Sequence, residues 1–181
     1  VRIGDSPFAP LFTILAGPDP GVKEQGDRKK EWVDRHFKRE AFWKGLLERA
    51  RGKTSIFSTI SPSKENWIGT GAGKSGLAFN FVINMDWAGA ELYIDHDKNT
   101  GEKNKAIFDK LFAQKAQIEQ EFNGALDWER LNEKRASRIR KKIEIGGLSS
   151  QNKWPVIQDA MIDAMIGLEK TLRPKVSKMQ V

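Results

Sequence analysis

Between Gly76 and Asp86, Leu77, Phe79, Phe81, Ile83 and Met85 alternate with Ala78, Asn80, Val82 and Asn84. A period of two places the first set on one face of a strand and the second set on the other. Asp86-Trp87-Ala88-Gly89 carries turn chemistry, and Ala90-Glu91-Leu92-Tyr93-Ile94 reads as the returning strand of a hairpin. Trp67-Ile68, ahead of a glycine run, predicts a third strand. A face this apolar has to be covered, and the amphipathic segments on either side of the sheet are the available covers.

The stretch from Val1 to Gly26 is rich in Pro and Gly around a short apolar run, Leu11-Phe12-Thr13-Ile14-Leu15, and reads as a linker or N-terminal arm with one short strand. Residues 27–181 read as a single domain. Asp27 is a fitting cap for a helix through Arg51, with Trp32, Val33, His36, Phe37, Trp43, Leu46, Leu47 and Ala50 as its apolar face. Asn99 or Thr100 would cap a second helix running to Phe122, with Ile107, Phe108, Leu111, Phe112 and Ile118 as its stripe. Ala125–Leu131 and Ala136–Ile145 read as strands. Asn152 would cap a last helix with Pro155 in its first turn, and Arg173-Pro174 would break it. The expectation is an α+β fold: a mainly antiparallel sheet of about five strands covered by three helices.

The 181 residues carry a net charge of +7, no Cys and two His. Disulfides and thiolate metal sites are thereby excluded, and a cytoplasmic setting fits. No apolar run reaches the ~18–20 residues of a membrane-spanning helix, so no membrane partner is expected. The positive charge is clustered. Ten Lys/Arg against four Asp/Glu lie between Arg28 and Lys53, often in opposite-sign pairs four apart, the pattern of a solvated helix face. Lys134 to Lys142 holds six Lys/Arg and no acid. There Arg138, Arg140 and Lys142 share one strand face, with Arg135 just before. Cations so placed repel one another unless something anionic lies opposite. That is either acid within the protein (Glu129, Glu133, Glu144) or the phosphates of a nucleic acid, duplex DNA being the expected form. Trp67, Trp87 and Trp128 are base-stacking candidates on one reading and core residues on the other.

Three motifs fail their own spacing rules. Gly69-Thr-Gly-Ala-Gly-Lys-Ser75 has Ile68 where a phosphate loop needs its first Gly, and a strand rather than a helix follows. It reads as a glycine-rich turn, with Lys74 as a candidate phosphate contact. Asp95-His96-Asp97-Lys98-Asn99-Thr100-Gly101 has Thr100 and Ala106 where a calcium loop needs Gly and Glu. Glu91 and Asp95 lie near a strand without the Asp/Glu-x-Lys of a metal nuclease. No catalytic constellation, metal site or cofactor is expected from these residues.

Ser61-Pro-Ser-Lys-Glu-Asn-Trp67, the Gly-x-Gly-x-Ser-Gly of Gly71–Gly76, Glu91-Leu-Tyr-Ile94 and Ile118-Glu119 resemble the domain of unknown function 4268 family. So do Leu126-Asp-Trp-Glu129, Lys134-Arg-Ala-Ser-Arg-Ile139 and Trp154, the Lys-Arg-Ala-Ser-Arg-Ile block being the most distinctive. The resemblance spans about Trp32 to Leu172. It implies a bacterial or archaeal protein in which this domain follows a region resembling PD-(D/E)XK-type restriction nucleases, with Gly4-Asp-Ser-Pro7 near the junction. The function expected is an accessory nucleic-acid-binding domain of a restriction-type or phage-defence nuclease. Its phosphate contacts would be Arg135, Arg138, Arg140, Lys142 and Lys74, and its other partner the nuclease-like region of the same chain. The alternative is a protein-interaction or dimerisation module, such as a homodimer, in which the charge only solvates.

Overall fold

The computed structural model describes residues 20–179, with side chains from Lys30 onward. The chain divides into two compact units, residues 1–35 and residues 36–181. In the first, the described residues 20–35 are helical. The second carries the sheet.

The strands are β1 (Trp67–Gly71), β2 (Leu77–Ile83), β3 (Ala88–Ile94), β4 (Asp127–Glu129) and β5 (Ser137–Ile143). They form one antiparallel sheet in the order β1-β2-β3-β5-β4. The alternation anticipated for β2 is realised, and pairing propagates it across the sheet. Leu77, Phe79, Phe81 and Ile83 face the same side as Ala88, Ala90, Leu92 and Ile94 of β3 and Ile139 and Ile143 of β5, and all are buried. Between β1 and β2 the glycine-rich stretch makes a tight turn, with Gly73 and Gly76 at φ of 93° and 74°. A Cβ on Gly76 would come within 2.3 Å of the His96 Cα. Both the backbone sign and the close approach therefore require glycine there.

Among the described residues there are also four α-helices: α1 (Pro20–Ala50), α2 (Glu102–Phe112), α3 (Lys115–Phe122) and α4 (Trp154–Lys178). α4 is the principal cover. Its Ile157, Met161, Met165, Leu168 and Leu172 recur at helical spacing and are all buried in the core beneath β2, β3 and β5. Phe42, Trp43, Leu46 and Leu47 of α1 complete that core, and Gln158 donates to the Phe42 carbonyl at 2.9 Å. α2 closes the β5 side, where Phe108 meets Trp128 edge-on at 6.0 Å. No described helix is long and apolar enough to cross a membrane.

Several boundaries differ from the sequence expectation. Residues 20–26 of the supposed arm are helical, part of α1; the apolar run at 11–15 lies outside the described residues. Of the expected α1 stripe, Trp32, Val33 and Phe37 are exposed. The single helix expected up to Phe122 is broken at Ala113-Gln114 into α2 and α3. Gly101, in a left-handed conformation, is the N-cap of α2, in place of Asn99 or Thr100. Lys153, not Asn152, precedes α4, which also runs through Pro174 to Lys178. Pro174 gives up one hydrogen bond to the preceding turn. Leu172 and Val176 on either side are fully buried, and that packing outweighs the local propensity.

Candidate functional site

The buried side chains of α2, α3 and α4 join the apolar face of the sheet in one core. The opposite face is built from the alternate residues, and the register arranges them in three rungs. One runs Gly69, Asn80, Glu91, Arg140, Asp127; the next Gly71, Ala78, Tyr93, Arg138, Glu129; the third Trp67, Val82, Gly89, Lys142. Arg138, Arg140 and Lys142 thus share this face, as their spacing predicted.

Each of these cations has a carboxylate. Arg138 Nε donates to Glu129 Oε2 at 2.6 Å, and Arg140 donates to the other oxygen of Glu129, with Asp127 at 3.6 Å from its Nε. Lys142 donates to Glu144 at 2.7 Å. Of the acids anticipated opposite this strand, Glu129 and Glu144 take the role. The Arg140 stem passes over Gly89, and its guanidinium lies 4.7 Å from the Trp87 ring centre; the Lys142 ammonium is 5.9 Å from the same ring. These are cation–π distances.

The other two candidate cations lie apart. Arg135 is at the end of the sheet, where it holds Asp95 through a pair of hydrogen bonds of 2.7 and 2.8 Å, with Lys98 joining at 2.5 Å. Burial pushes the Asp95 carboxyl up, but the hydrogen bonds from Arg135 and Lys98 outweigh it and hold the carboxyl below its usual range. Lys74, in the β1–β2 turn, donates to the Met179 carbonyl at the end of α4. It caps that helix terminus and does not join the cations of the sheet face.

Asn80 and Glu91 lie opposite each other at the middle of this face and are buried to 6 % and 3 % exposure. Asn80 Oδ1 and Glu91 Oε2 have no hydrogen-bond partner. The Asn80 amide lies over Gly69, where a Cβ would come within 2.1 Å of its oxygen. Burial drives the Glu91 carboxyl above its ordinary value, and the opposing pulls of Arg138, Asn80 and Arg140 do not restore it. Arg138 Nη1 stands 3.8 Å from Glu91 Oε2, too far for a hydrogen bond.

These residues line a cleft of about 580 Å³ together with Trp67, Tyr93, Asp95, Lys98 and Asn66. Trp67 is 50 % exposed and forms part of its wall. By contrast, Trp128 is packed against Phe108 and Phe112, and its indole N–H donates to Glu119, so it belongs to the core side. Among the described residues no group of three or more His, Asp or Glu side chains is placed to hold a metal ion. Glu91 and Asp95 do not converge as a metal pair, because Asp95 is already occupied by Arg135 and Lys98.

Asn80 was not singled out by the sequence reading. The available signal was a lone amide in an otherwise apolar strand, opposite a lone carboxylate in the next one.

Residues 38–176 match the family described as "Domain of unknown function (DUF4268)". No curated protein and no solved structure gives a match.

Proposed function

Taking as premise that the chain belongs to the domain of unknown function 4268 family, whose description names no activity, we propose that it is a nucleic-acid-binding module working through the open sheet face. One observation carries this reading: half-exposed Trp67, the Arg140-flanked ring of Trp87 and the guanidinium of Arg138 lie together on the face of the sheet opposite its apolar core. Sheets that bind single-stranded nucleic acid combine these parts, aromatic planes for bases and cations for phosphates. The pairing of Arg138 and Arg140 with Glu129 fixes where their guanidinium groups stand, and a phosphate would replace or share that carboxylate. The restriction-type or phage-defence context, a preceding nuclease-like region held on its substrate, rests on the family resemblance alone. The cytoplasmic setting rests on the absence of Cys.

The same ion pairs favour a second reading. A strand whose cations are already neutralised presents little net field to a polyanion, which suits a protein-interaction or dimerisation surface. Binding of a single-stranded and a duplex oligonucleotide, each at two salt concentrations, separates the two. The nucleic-acid reading expects affinity that falls with salt and weakens about tenfold or more in Trp67→Ala. Absence of binding, together with a concentration-dependent dimer in sedimentation, would transfer the assignment to the interaction module.

A further inference from the structure

We propose that the outer edge of β1 pairs antiparallel with β1 of a second copy of this chain, joining two sheets into one. The pairing goes beyond the nucleic-acid reading and stands on backbone groups which that reading does not use. β1 is an edge strand, paired only with β2. Just before it the Asn66 carbonyl accepts from the Ile83 N–H at 2.8 Å, and just after it the Ala72 N–H donates to the Leu77 carbonyl at 2.9 Å. Hydrogen-bonded pairs alternate along an antiparallel ladder, so Ile68 and Thr70 turn their backbone groups to β2 while Trp67, Gly69 and Gly71 turn theirs outward. Among the described residues none of these outward groups has a backbone partner, and Trp67 and Gly71 are exposed.

The two edges of the sheet are treated differently. β4 is three residues long and carries Asp127 and Glu129, the short, charged form that keeps an edge from pairing. β1 is five residues long, Trp67-Ile-Gly-Thr-Gly71, with neither charge nor proline. In a chain of net charge +7, an uncharged edge is where two copies approach with least repulsion.

The strand is complementary to itself. Antiparallel self-pairing centred on Gly69 uses all of β1 and sets outward residues against outward residues. Gly69 meets Gly69 of the partner subunit, and Trp67 meets Gly71 of the partner subunit, so each free N–H finds a carbonyl. The half-exposed Trp67 ring then stands opposite a position without a side chain. This chain's own packing does not require that glycine: a Cβ on Gly71 would meet nothing within 4 Å, and its backbone is not left-handed. A strand glycine of this kind marks the close approach of another backbone. On the core side Ile68 faces Thr70 of the partner subunit, an apolar residue against a β-branched one. Two edges of this length bury less than the roughly 1,200 Å² of the smallest stable interfaces, so the dimer forms and dissociates with concentration. The twofold axis is perpendicular to the sheet, which places the open faces of both copies on one side.

Sedimentation equilibrium from about 1 to 200 µM protein, at low and at high salt, tests the pairing. Wild type is expected to pass from one chain to two across that range at both salts, because the contact carries no charge. Gly71→Pro removes an outward N–H and fills the space opposite Trp67, yet leaves the bonds to β2 in place. Gly71→Glu adds a charge to the edge without meeting any neighbour of its own chain. Each variant is expected to weaken association about tenfold or more, thermal unfolding of the same samples showing that it is folded. Wild type that stays a single chain at every concentration would overturn the pairing and leave the edge to another occupant. So would a dimer that either folded variant leaves intact. Oligonucleotide binding is read separately, so the nucleic-acid reading stands or falls on its own.

Discussion

The two faces of the sheet are made by alternate residues of the same strands and obey opposite rules. On the helix-covered face, Phe79, Phe81, Leu92 and Ile139 are fully buried without a polar atom among their side chains. On the other, Asn80 and Glu91 are nearly as well buried yet leave an amide oxygen and a carboxylate oxygen unsatisfied. Burial on the first face stabilises the fold; burial on the second works against it. A chain that retains such groups at the centre of its sheet keeps them for something other than stability.

The largest effect expected from this contrast is in the apolar face. Phe81 is fully buried, with the Phe57 ring 4.5 Å away, and Phe81→Ala should cost about 3–5 kcal/mol in chemical denaturation. A loss below about 1 kcal/mol would mean that this face is not the core.

Next in size is the ion pair at the sheet end. Arg135→Ala leaves the buried Asp95 with only the exposed Lys98, at an expected cost of about 1–3 kcal/mol. The sign with pH follows from the depressed Asp95 value. Its contribution is present above the ordinary 3.8 and is lost as pH falls through the lower folded value, so the gap in stability between wild type and variant should narrow only as pH falls below 3.8. Asp97 strengthens that acid sensitivity. Hydrogen bonds from the Thr100 hydroxyl and the Asn99 amide lower it to about 2, so the turn before α2 should loosen only at still lower pH, read by amide exchange.

Glu91→Gln runs the other way. The folded Glu91 binds its proton more tightly than the unfolded chain does, so the ionised form detracts from stability above the ordinary 4.5. The variant should match wild type at low pH and exceed it at neutral pH, by about 0.5–2 kcal/mol. Smallest is Trp67→Ala. At an exposed position on the edge strand it should change stability by no more than about 0.5 kcal/mol while weakening oligonucleotide binding.

The apolar face was legible because a period of two is a local signal, and β2 states it over several consecutive turns of the pleat. Helix α4 was legible for the same reason at the helical period. The break at Ala113-Gln114 and the passage of α4 through Pro174 were not, since both depend on packing between elements distant in sequence. Of the site, the shared face of Arg138, Arg140 and Lys142 could be read within one strand. The pairing of Arg138 and Arg140 with Glu129 depends on β4 lying antiparallel to β5, and the cleft depends on β2 and β3 bringing Asn80 opposite Glu91. A register between strands is not written in either strand alone, which is why the shared face of the cations is legible and the juxtaposition of Asn80 with Glu91 is not.

The most direct test measures Glu91→Gln twice on one preparation, by thermal unfolding and by binding to a single-stranded oligonucleotide at neutral pH. If the open face is kept for a ligand, stability rises while affinity falls. A variant that loses stability and affinity together, or changes in neither, would contradict the division of the sheet into a face that folds and a face that binds.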